Sequence, residues 1–358
     1  MFKQFLLILL LLFLAGPTHC RKGHLINFRW QNLYPESFTW DPKSDHFVVG
    51  SLRHRQIISV SDAGVVSSLL SDPSLPADSF FVGISMDPRH HRVLAVVRRL
   101  SPPFSALASY DRRTFRQLFL TPLNDLLPSD SVPVAANDVA VDYSGNAYVT
   151  DSANDVIFKV SEEGVATVLS RSKAFKPNAV DNDVPYKNCG LNGVVYNSKG
   201  YLLVTQSNTG KLFKVDVDDG AARRVILNKE LRAADGMAVR KDGVVVVVSK
   251  QKLYFIKSDD SWIEGAVFDE TALEEERHAS AVSVGAEDRV YVLYGHIDEG
   301  MMGNLEREEF SIVEVESEVE GKEENVWIFV LIGLGFVYFL VWRFQMRNLV
   351  HNMNKKTA

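Results

Sequence analysis

The sequence has few cysteines and none of the short motifs that identify the commonest hydrolases and nucleotide-binding enzymes. It contains only two cysteines, Cys20 and Cys189. A disulfide-rich scaffold and a zinc site made of cysteines each need about twice as many, so both are excluded. GxSxG, P-loop and HExxH motifs are absent as well. The sequence therefore does not support a serine nucleophile elbow, a phosphate-binding loop or a zinc peptidase helix.

Positive charge is also in short supply. The 358 residues include 39 Lys plus Arg and 45 Asp plus Glu, which gives a formal net charge of -6. Nucleic acid is therefore not an expected partner, because a phosphate-binding surface needs an excess of positive charge. With 46% hydrophobic and 23% charged residues, the composition is that of a globular chain with a core.

The first apolar run lies at the amino terminus. Residues 1–20 combine an early lysine, an apolar run from Phe5 to Ala15 and a short polar stretch that ends at Cys20. This order is typical of a secretory signal peptide, and the run is too short to span a bilayer comfortably. An uncleaved anchor is the alternative. Cleavage after Cys20 would leave Cys189 as the only thiol, so no internal disulfide is expected.

The second apolar run, VWIFVLIGLGFVYFLVW, covers residues 326–342 without a charge. It predicts a transmembrane helix near the lower limit of length, which suits the thin bilayer of the endoplasmic reticulum. Acidic residues dominate the predicted linker, 318–325, and basic residues the tail, 343–358. Because basic flanks face the cytoplasm, we expect a single-pass type I protein whose residues 24–317 lie in the lumen.

The tail ends in KKTA, with Lys355 and Lys356 in the fourth and third positions from the carboxyl end. On a cytosolic tail, this pair resembles the dilysine retrieval signal of endoplasmic-reticulum membrane proteins. We therefore expect a retrieval coat as a partner and the endoplasmic-reticulum membrane as the location.

The region between the two apolar runs is predicted to be all-β. It lacks an amphipathic helical period, and short runs of Val, Ile, Leu, Phe and Tyr alternate with turn residues. One unit of three strands recurs six times, about every 40 to 50 residues. Such units cannot bury both faces alone, so we predict a six-bladed β-propeller. The segment His24–Trp30 is expected to pair with the last blade and close the ring.

One column of the six repeats carries oxygen-bearing side chains. Five positions before the turn residue that ends each first strand, the repeats have Glu36, Val82, Asn137, Asn192, Asp235 and Ser280. The innermost strands of a propeller converge on its central channel, so these side chains are expected to meet. Two carboxylates and two amides suit Ca²⁺ better than Zn²⁺ or Mg²⁺. The alternative is that Asn and Asp simply form turns where strands begin.

This arrangement resembles the calcium site of the calcium-dependent phosphotriesterase superfamily. That superfamily includes diisopropyl fluorophosphatase, paraoxonases, and the senescence-marker, gluconolactonase and luciferin-regenerating-enzyme-like proteins. The resemblance covers nearly all of residues 24–317. It implies that Glu36, Asn137, Asn192 and Asp235 bind a catalytic Ca²⁺, and that Asp235 is the nucleophile or the base that activates water.

The sequence departs from these relatives in two places. Gluconolactonase-type members usually have an arginine two residues before the blade-three asparagine, where this chain has Ala135. A sugar lactone is therefore a doubtful substrate. The paired histidines of paraoxonases have no evident counterpart, because His90 and His91 are predicted in a turn on the face away from the metal.

Residues outside the column provide weaker candidates. Phe104 and His278 are predicted on loops near the metal and are proposed as substrate contacts. Cys189 lies three residues before Asn192, but no helix terminus or nearby histidine marks it as an activated thiol.

We therefore predict a calcium-dependent hydrolase of small esters, lactones or phosphotriesters. A non-enzymatic propeller that acts as a lumenal binding scaffold is the first alternative, because a fold does not decide a function. A strictosidine synthase-like propeller is the second, although the acidic loop 306–309 offers no distinctive match. An open apolar channel above the metal would favour the enzyme, whereas a channel blocked by the loop with Pro102 and Pro103 would favour the scaffold.

Overall fold

A computed structural model describes residues 23–176, 184, 186–303 and 305–356. Six β-sheets follow one another along the chain, with neighbouring strands antiparallel except for one short parallel pair in the fifth sheet, and a long helix follows the last sheet. The predicted six-bladed propeller is confirmed. The predicted signal peptide, residues 1–20, lies outside the described residues.

The first three blades have four strands each. Blade one contains β2 (Phe38–Asp41), β3 (His46–Gly50), β4 (Gln56–Ser61) and β5 (Val66–Ser71). Blade two contains β6 (Phe80–Asp87), β7 (Arg92–Arg99), β8 (Phe104–Asp111) and β9 (Gln117–Pro122). Blade three contains β10 (Ala136–Val141), β11 (Ala147–Asp151), β12 (Val156–Val160) and β13 (Ala166–Ser170).

The last three blades are less uniform. Blade four contains β14 (Leu191–Asn197), β15 (Tyr201–Gln206), β16 (Lys211–Asp216) and β17 (Ala222–Arg224). Blade five contains β19 (Ala234–Val239), β20 (Val245–Ser249), β21 (Lys252–Lys257), β22 (Glu264–Ala272) and the short parallel strand β18 (Ile226–Leu227). Blade six contains β23 (Ala279–Val284), β24 (Val290–Tyr294), β25 (Glu309–Glu314) and β1 (Leu25–Arg29).

The ring is closed by the amino-terminal strand, as the sequence predicts. Strand β1 pairs antiparallel with β25, from Leu25 opposite Val313 to Arg29 opposite Glu309. Closure covers the edge of the last sheet, which would otherwise offer unpaired backbone groups to another chain.

The core lies between the blades, in six clusters that each join two neighbours. One of them joins the last blade to the first, where Phe310 and Leu293 share a cluster with Phe47. Second strands such as VVVVS in blade five are buried throughout. β-Branched residues favour these strands because they pack well on a pleated surface that is covered on both sides.

The ring has two faces. The ligand face is the one at which the inner strands β2, β6, β10, β14, β19 and β23 begin, and the base is the opposite face. Because the strands are antiparallel, β25 runs from the ligand face towards the base. The chain then passes directly into the carboxyl-terminal helix.

Two helices are described, α1 (Ile297–Met302) and α2 (Glu318–Lys356). Within α2, Val330–Val350 is long and apolar enough to cross a membrane, with a mean hydropathy of 1.3 and no part buried. This stretch overlaps the predicted span 326–342 and extends further. The predicted acidic linker, 318–325, is itself helical and continuous with the apolar stretch. Its glutamates and lysine are good helix formers, so this segment continues the helix.

The first turn of α2 is attached to blade five. Ser317 donates a hydrogen bond to Asp269 in β22 at 2.6 Å, and the Val319 amide donates to the same carboxylate at 3.2 Å. Arg240 donates to Glu320 at 2.7 Å. A carboxylate that accepts from the first turn satisfies backbone N–H groups that the helix leaves free. The helix therefore begins in a defined orientation on the propeller.

Candidate metal centre

The four predicted metal ligands face one cavity. Glu36, Asn137, Asn192 and Asp235 all line a cavity of about 370 Å³ in the central channel. They come from blades one, three, four and five, and Ser280 from blade six joins them. Below this ring, the inner strands contribute both apolar and polar residues to the cavity wall, including valines of β10, β19 and β23 and the hydroxyl residues Thr39, Ser85 and Ser283.

β-Bulges place the ligands. The register of β10 breaks between Ala136 and Val139, and that of β14 between Leu191 and Val194. Strand β19 breaks in the same way between Ala234 and Met237. Each break contains the column residue. A bulge re-aims a side chain without ending the strand, so these side chains can turn into the channel.

The two asparagines are held by matching hydrogen-bond relays. The Asn137 Nδ2 donates to Ser152 Oγ at 3.1 Å, and Ser152 donates to the Leu191 carbonyl at 2.7 Å. The Asn192 Nδ2 donates to Ser207 Oγ at 3.0 Å, and that hydroxyl donates to the Ala234 carbonyl at 2.6 Å. With its amide nitrogen engaged, each asparagine keeps its Oδ1 for the channel.

A third carboxylate, Asp138, lines the same cavity. It accepts hydrogen bonds from the amides of Val139 at 2.8 Å and Val194 at 3.0 Å, so it joins blades three and four. Sequence reasoning missed it because it stands next to Asn137. A signal was present: the residue after the column position is Ser37, Gly83, Gly193, Gly236 or Ala281 in the other blades.

Close packing explains those small residues. A Cβ on Gly193 would lie 2.3 Å from the Asp235 carbonyl oxygen, and one on Gly83 would lie 2.6 Å from the Cα of Asp138. Neighbouring inner strands therefore approach closely at the level of the ring. Blade three accommodates a larger residue at this position, Asp138, whose carboxylate accepts a hydrogen bond from the Val194 amide of blade four.

The carboxylates of the ring have raised pKa values. Burial, followed by the charges of Asp235 and Asp138, holds the pKa of Glu36 well above its usual range. Burial is also the main cause for Asp235, whose pKa is raised to about 7, and for Asp138, whose pKa is raised to about 6. All three side chains keep some contact with the channel, but protein surrounds them. Their negative charges are therefore poorly compensated by the protein alone.

This donor set fits a hard divalent cation. Two carboxylates and two amide oxygens are ligands that Ca²⁺ accepts, with water in its remaining positions. In the described part of the chain, no three His, Cys, Asp or Glu residues cluster closely enough to hold a metal by themselves. The asparagine oxygens would therefore be essential to the site.

Cys189 lies beside the ring. Its sulfur is 3.6 Å from both Asn192 Nδ2 and Ser207 Oγ. Burial raises the pKa of this thiol. A neutral thiol is a poor nucleophile, so the structure agrees with the prediction that Cys189 is not activated.

The two proposed substrate contacts do not line the cavity. Phe104 begins β8, where its ring packs against the Arg99 guanidinium. His278 precedes β23 on the ligand face, with its Nδ1 3.0 Å from Asp298 Oδ2. Burial lowers the pKa of His278. The structure thus brings together the four predicted ligands, but leaves Phe104 and His278 outside the cavity wall.

Solved structures show the same architecture at low identity. The major allergen Mala s 1 of Malassezia sympodialis has a TM-score of 0.68 and 17% identity, and the match covers 82% of this chain and 96% of that one. A gluconolactonase from Xanthomonas campestris has a TM-score of 0.54 and 15% identity, over 81% and 89%. A streptogramin B lyase has a TM-score of 0.55 and 10% identity, over 82% and 98%. These similarities establish the fold alone.

Comparison of sequences is more specific. No curated protein matches the chain significantly. Residues 34–293, however, match the SMP-30/gluconolactonase/LRE-like region. This match includes every predicted metal ligand and most of the propeller. The chain therefore belongs to the SMP-30/gluconolactonase/LRE-like family.

Proposed function

We propose that this protein is a calcium-dependent hydrolase of small esters, lactones or phosphotriesters. The observation that carries the proposal is that oxygen ligands from four blades, Glu36, Asn137, Asn192 and Asp235, face one cavity in the channel. Four such side chains in one register are hard to explain as turn residues. Membership of a family that includes gluconolactonases supports the same reaction class.

The chemistry follows from this ring. A bound Ca²⁺ would polarise a carbonyl or phosphoryl oxygen as a Lewis acid. Asp235 is the candidate to attack the substrate or to take a proton from water, because its carboxylate lines the cavity beside the other proposed calcium ligands. Glu36 and the two asparagines would bind the cation.

The cavity in the channel favours an enzyme over a scaffold. It is large enough for a small ligand, at about 370 Å³, and several polar side chains converge on it. Pro102 and Pro103 are not among the residues that line it. Ala135 still stands where gluconolactonases usually have an arginine, so a sugar lactone remains a doubtful substrate.

The proposal includes a membrane anchor. Val330–Val350 is apolar and exposed along its length, and the hydrogen bonds described between α2 and the propeller involve its first turn. An exposed apolar helix of this length needs a bilayer around it. We propose a single-pass type I arrangement in the endoplasmic-reticulum membrane, with the propeller in the lumen.

A substrate screen tests the enzymatic proposal. The full chain in detergent is assayed on aryl esters, lactones and phosphotriesters, with millimolar calcium and with excess chelator. We expect hydrolysis that disappears with chelator and returns when calcium is restored. Hydrolysis that is unaffected by chelator, or none on any of the three classes, would contradict the proposal.

A further inference from the structure

A second ring of residues lies on the ligand-face side of the metal ring, the name we use for Glu36, Asn137, Asn192 and Asp235. Each of its residues lies at the end of a blade's second strand and faces the residue two positions before the column residue. In blades two to six these residues are, in order, Arg98, Ser152, Ser207, Lys250 and Gly295. Strand pairing places them there: Arg98 is opposite Phe80, and the amides of Ser152 and Ser207 donate to Ala135 and Gly190. This upper ring follows the metal ring around the channel.

The serines show where side chains at this register point. Ser152 and Ser207 reach the amide nitrogens of Asn137 and Asn192, which belong to the metal ring. Residues at one register of equivalent strands point to the same side of the sheet. The side chain of Arg98 therefore points towards the channel at the same level. This placement is consistent with the charges that act on Arg98, which are those of Glu36, Cys189 and Asp151.

Arg98 differs from the other partly buried cations of the propeller. Arg92 binds Asp87 at 2.7 Å, Arg112 binds Asp41, and Lys250 binds Asp298 at 2.6 Å. Within the described ranges, no carboxylate lies within 4 Å of the Arg98 guanidinium, and its side chain donates no hydrogen bond. Arg98 is only partly buried, so its guanidinium is available to an anionic ligand.

The charges in the channel indicate when an anion can bind to Arg98. Glu36, Asp138 and Asp235 carry three negative charges when ionised, and Arg98 carries one positive charge. The remaining two negative charges equal the charge of one divalent cation. An anionic ligand would be repelled from the metal-free channel, but would meet a neutral site once the cation is bound.

We propose that Arg98 binds a carboxylate group of the substrate and so selects anionic esters or lactones. The planar guanidinium forms two parallel hydrogen bonds to a carboxylate, which favours this group over a neutral one. This inference rests on the proposed hydrolase function, because it names the substrate class of the same site. Arg98 supplies from blade two a cation that this chain lacks at Ala135 in blade three.

Matched substrates test the proposal. The full chain in detergent with saturating calcium is assayed on 4-acetoxybenzoate and on 4-acetoxybenzamide, which differ by one charge. We expect Arg98→Met to lower kcat/KM for the acid by about 10- to 100-fold, mainly through KM, and to change the amide by less than about 3-fold. Lys250→Met, at the same register of blade five, is the control and should leave the ratio of the two substrates unchanged. An equal loss on both substrates would overturn the proposal.

A binding experiment separates this proposal from the hydrolase proposal. Calorimetry measures 4-acetamidobenzoate and 4-acetamidobenzamide, which the enzyme cannot hydrolyse as esters, with calcium and with chelator. We expect the wild type to prefer the acid only with calcium, Arg98→Met to lose that preference, and Arg98→Lys to keep part of it. This result would support the role of Arg98 even if no ester is hydrolysed. The absence of ester hydrolysis would count against the hydrolase proposal alone. No preference in the wild type, or an unchanged preference in both variants, would overturn the role of Arg98.

Discussion

At the scale of single residues, the candidate centre concentrates negative charge in a place that the protein does not neutralise by itself. Glu36 and Asp235 have pKa values raised by burial and by neighbouring carboxylates. Paired aspartates elsewhere in the fold behave in the opposite way: hydrogen bonds from Arg112 and Arg92 outweigh burial and hold the pKa values of Asp41 and Asp87 low. The centre therefore differs from the structural ion pairs, and we propose that a bound cation supplies the missing positive charge.

The first residue-scale prediction distinguishes chemistry from metal binding at Asp235. Asp235→Asn keeps an oxygen ligand of nearly the same shape, but it removes the charge and the ability to attack or accept a proton. We expect kcat to fall by about two or more orders of magnitude and to stay low at saturating calcium. The control is Asn192→Asp, which adds charge without removing the proposed catalytic group and should keep much of the activity. Full turnover of Asp235→Asn at saturating calcium would remove Asp235 from the mechanism.

The second residue-scale prediction concerns pH. In the metal-free protein, the folded-state pKa of Asp235, about 7, exceeds the unfolded value of about 3.9. The folded state thus binds more protons between these two values, so the free energy of unfolding falls as pH rises through that window. Calcium should reduce this decrease in the free energy of unfolding, because the bound cation takes the place of the proton in balancing the charge of the carboxylate.

The measurement is thermal unfolding of the full chain at pH 5 and pH 8, with chelator and with millimolar calcium. We expect Tm to decrease from pH 5 to pH 8 in chelator, and to decrease less in calcium. The variant Asp235→Asn, which cannot titrate at this position, should show a smaller decrease in chelator than the wild type. The same pH dependence with and without calcium would contradict the proposed site.

At the scale of elements, the site depends on how neighbouring inner strands are joined. Thr150 in β11 donates to the Asn192 carbonyl at 2.6 Å, so the second strand of blade three supports a ligand of blade four. Thr205 in β15 donates to the Asp235 carbonyl at 3.3 Å in the same way. Any change that opens the ring would therefore be transmitted to the ligands.

The element-scale prediction concerns the closing strand β1. Phe28 is 2% exposed and its ring lies 6.0 Å from that of Phe310. Phe28→Ala should lower the free energy of unfolding by about 3 to 5 kcal/mol, because it leaves a cavity at the junction of the first and last blades. Leu25→Ala in the same strand is the control: Leu25 is 50% exposed, so we expect a change within about 0.5 kcal/mol. Denaturant unfolding measures both, and equal effects would show that β1 does not close the core.

At the scale of the whole molecule, the attachment of α2 determines on which side of the propeller the proposed membrane anchor begins. Strand β25 ends towards the base, and Ser317, Val319 and Glu320 fasten the first turn of α2 to blade five. The ligand face is at the other end of the strands. We therefore expect substrate to reach the metal ring from the side of the propeller opposite to the point at which the helix begins.

The whole-molecule prediction concerns location. Replacement of both Lys355 and Lys356 by Ser should let the protein leave the endoplasmic reticulum, because a dilysine signal requires both charges. The fold should be unaffected, since the tail follows the apolar stretch Val330–Val350 and lies outside the sequence of the propeller. Fluorescence microscopy of the tagged protein measures the location, and Arg343→Ser with Arg347→Ser tests whether any loss of tail charge has the same effect. An unchanged location of the lysine variant would exclude the signal.

The sequence predicted the architecture well because a propeller is a local repeat. Each blade follows from strands and turns that are adjacent in the chain, and the repeat aligns Asn137, Asn192 and Asp235 in one column. Even the closing strand could be predicted, since His24–Trp30 had no other partner. The column could be aligned before its contacts were known, because equivalent positions of the inner strands all face the channel.

Other features depended on contacts between blades. Asp138 was hidden beside Asn137, and its role appears only where its carboxylate meets the Val194 amide of the next blade. Arg98 belongs to a second strand, and only strand register places it above the metal ring. The residues predicted as a linker became part of a helix because their side chains favour helix and Asp269 binds its first turn. Periodicity along the chain thus determined the blades and their ligands, whereas the meeting of distant strands decided which charges share the channel.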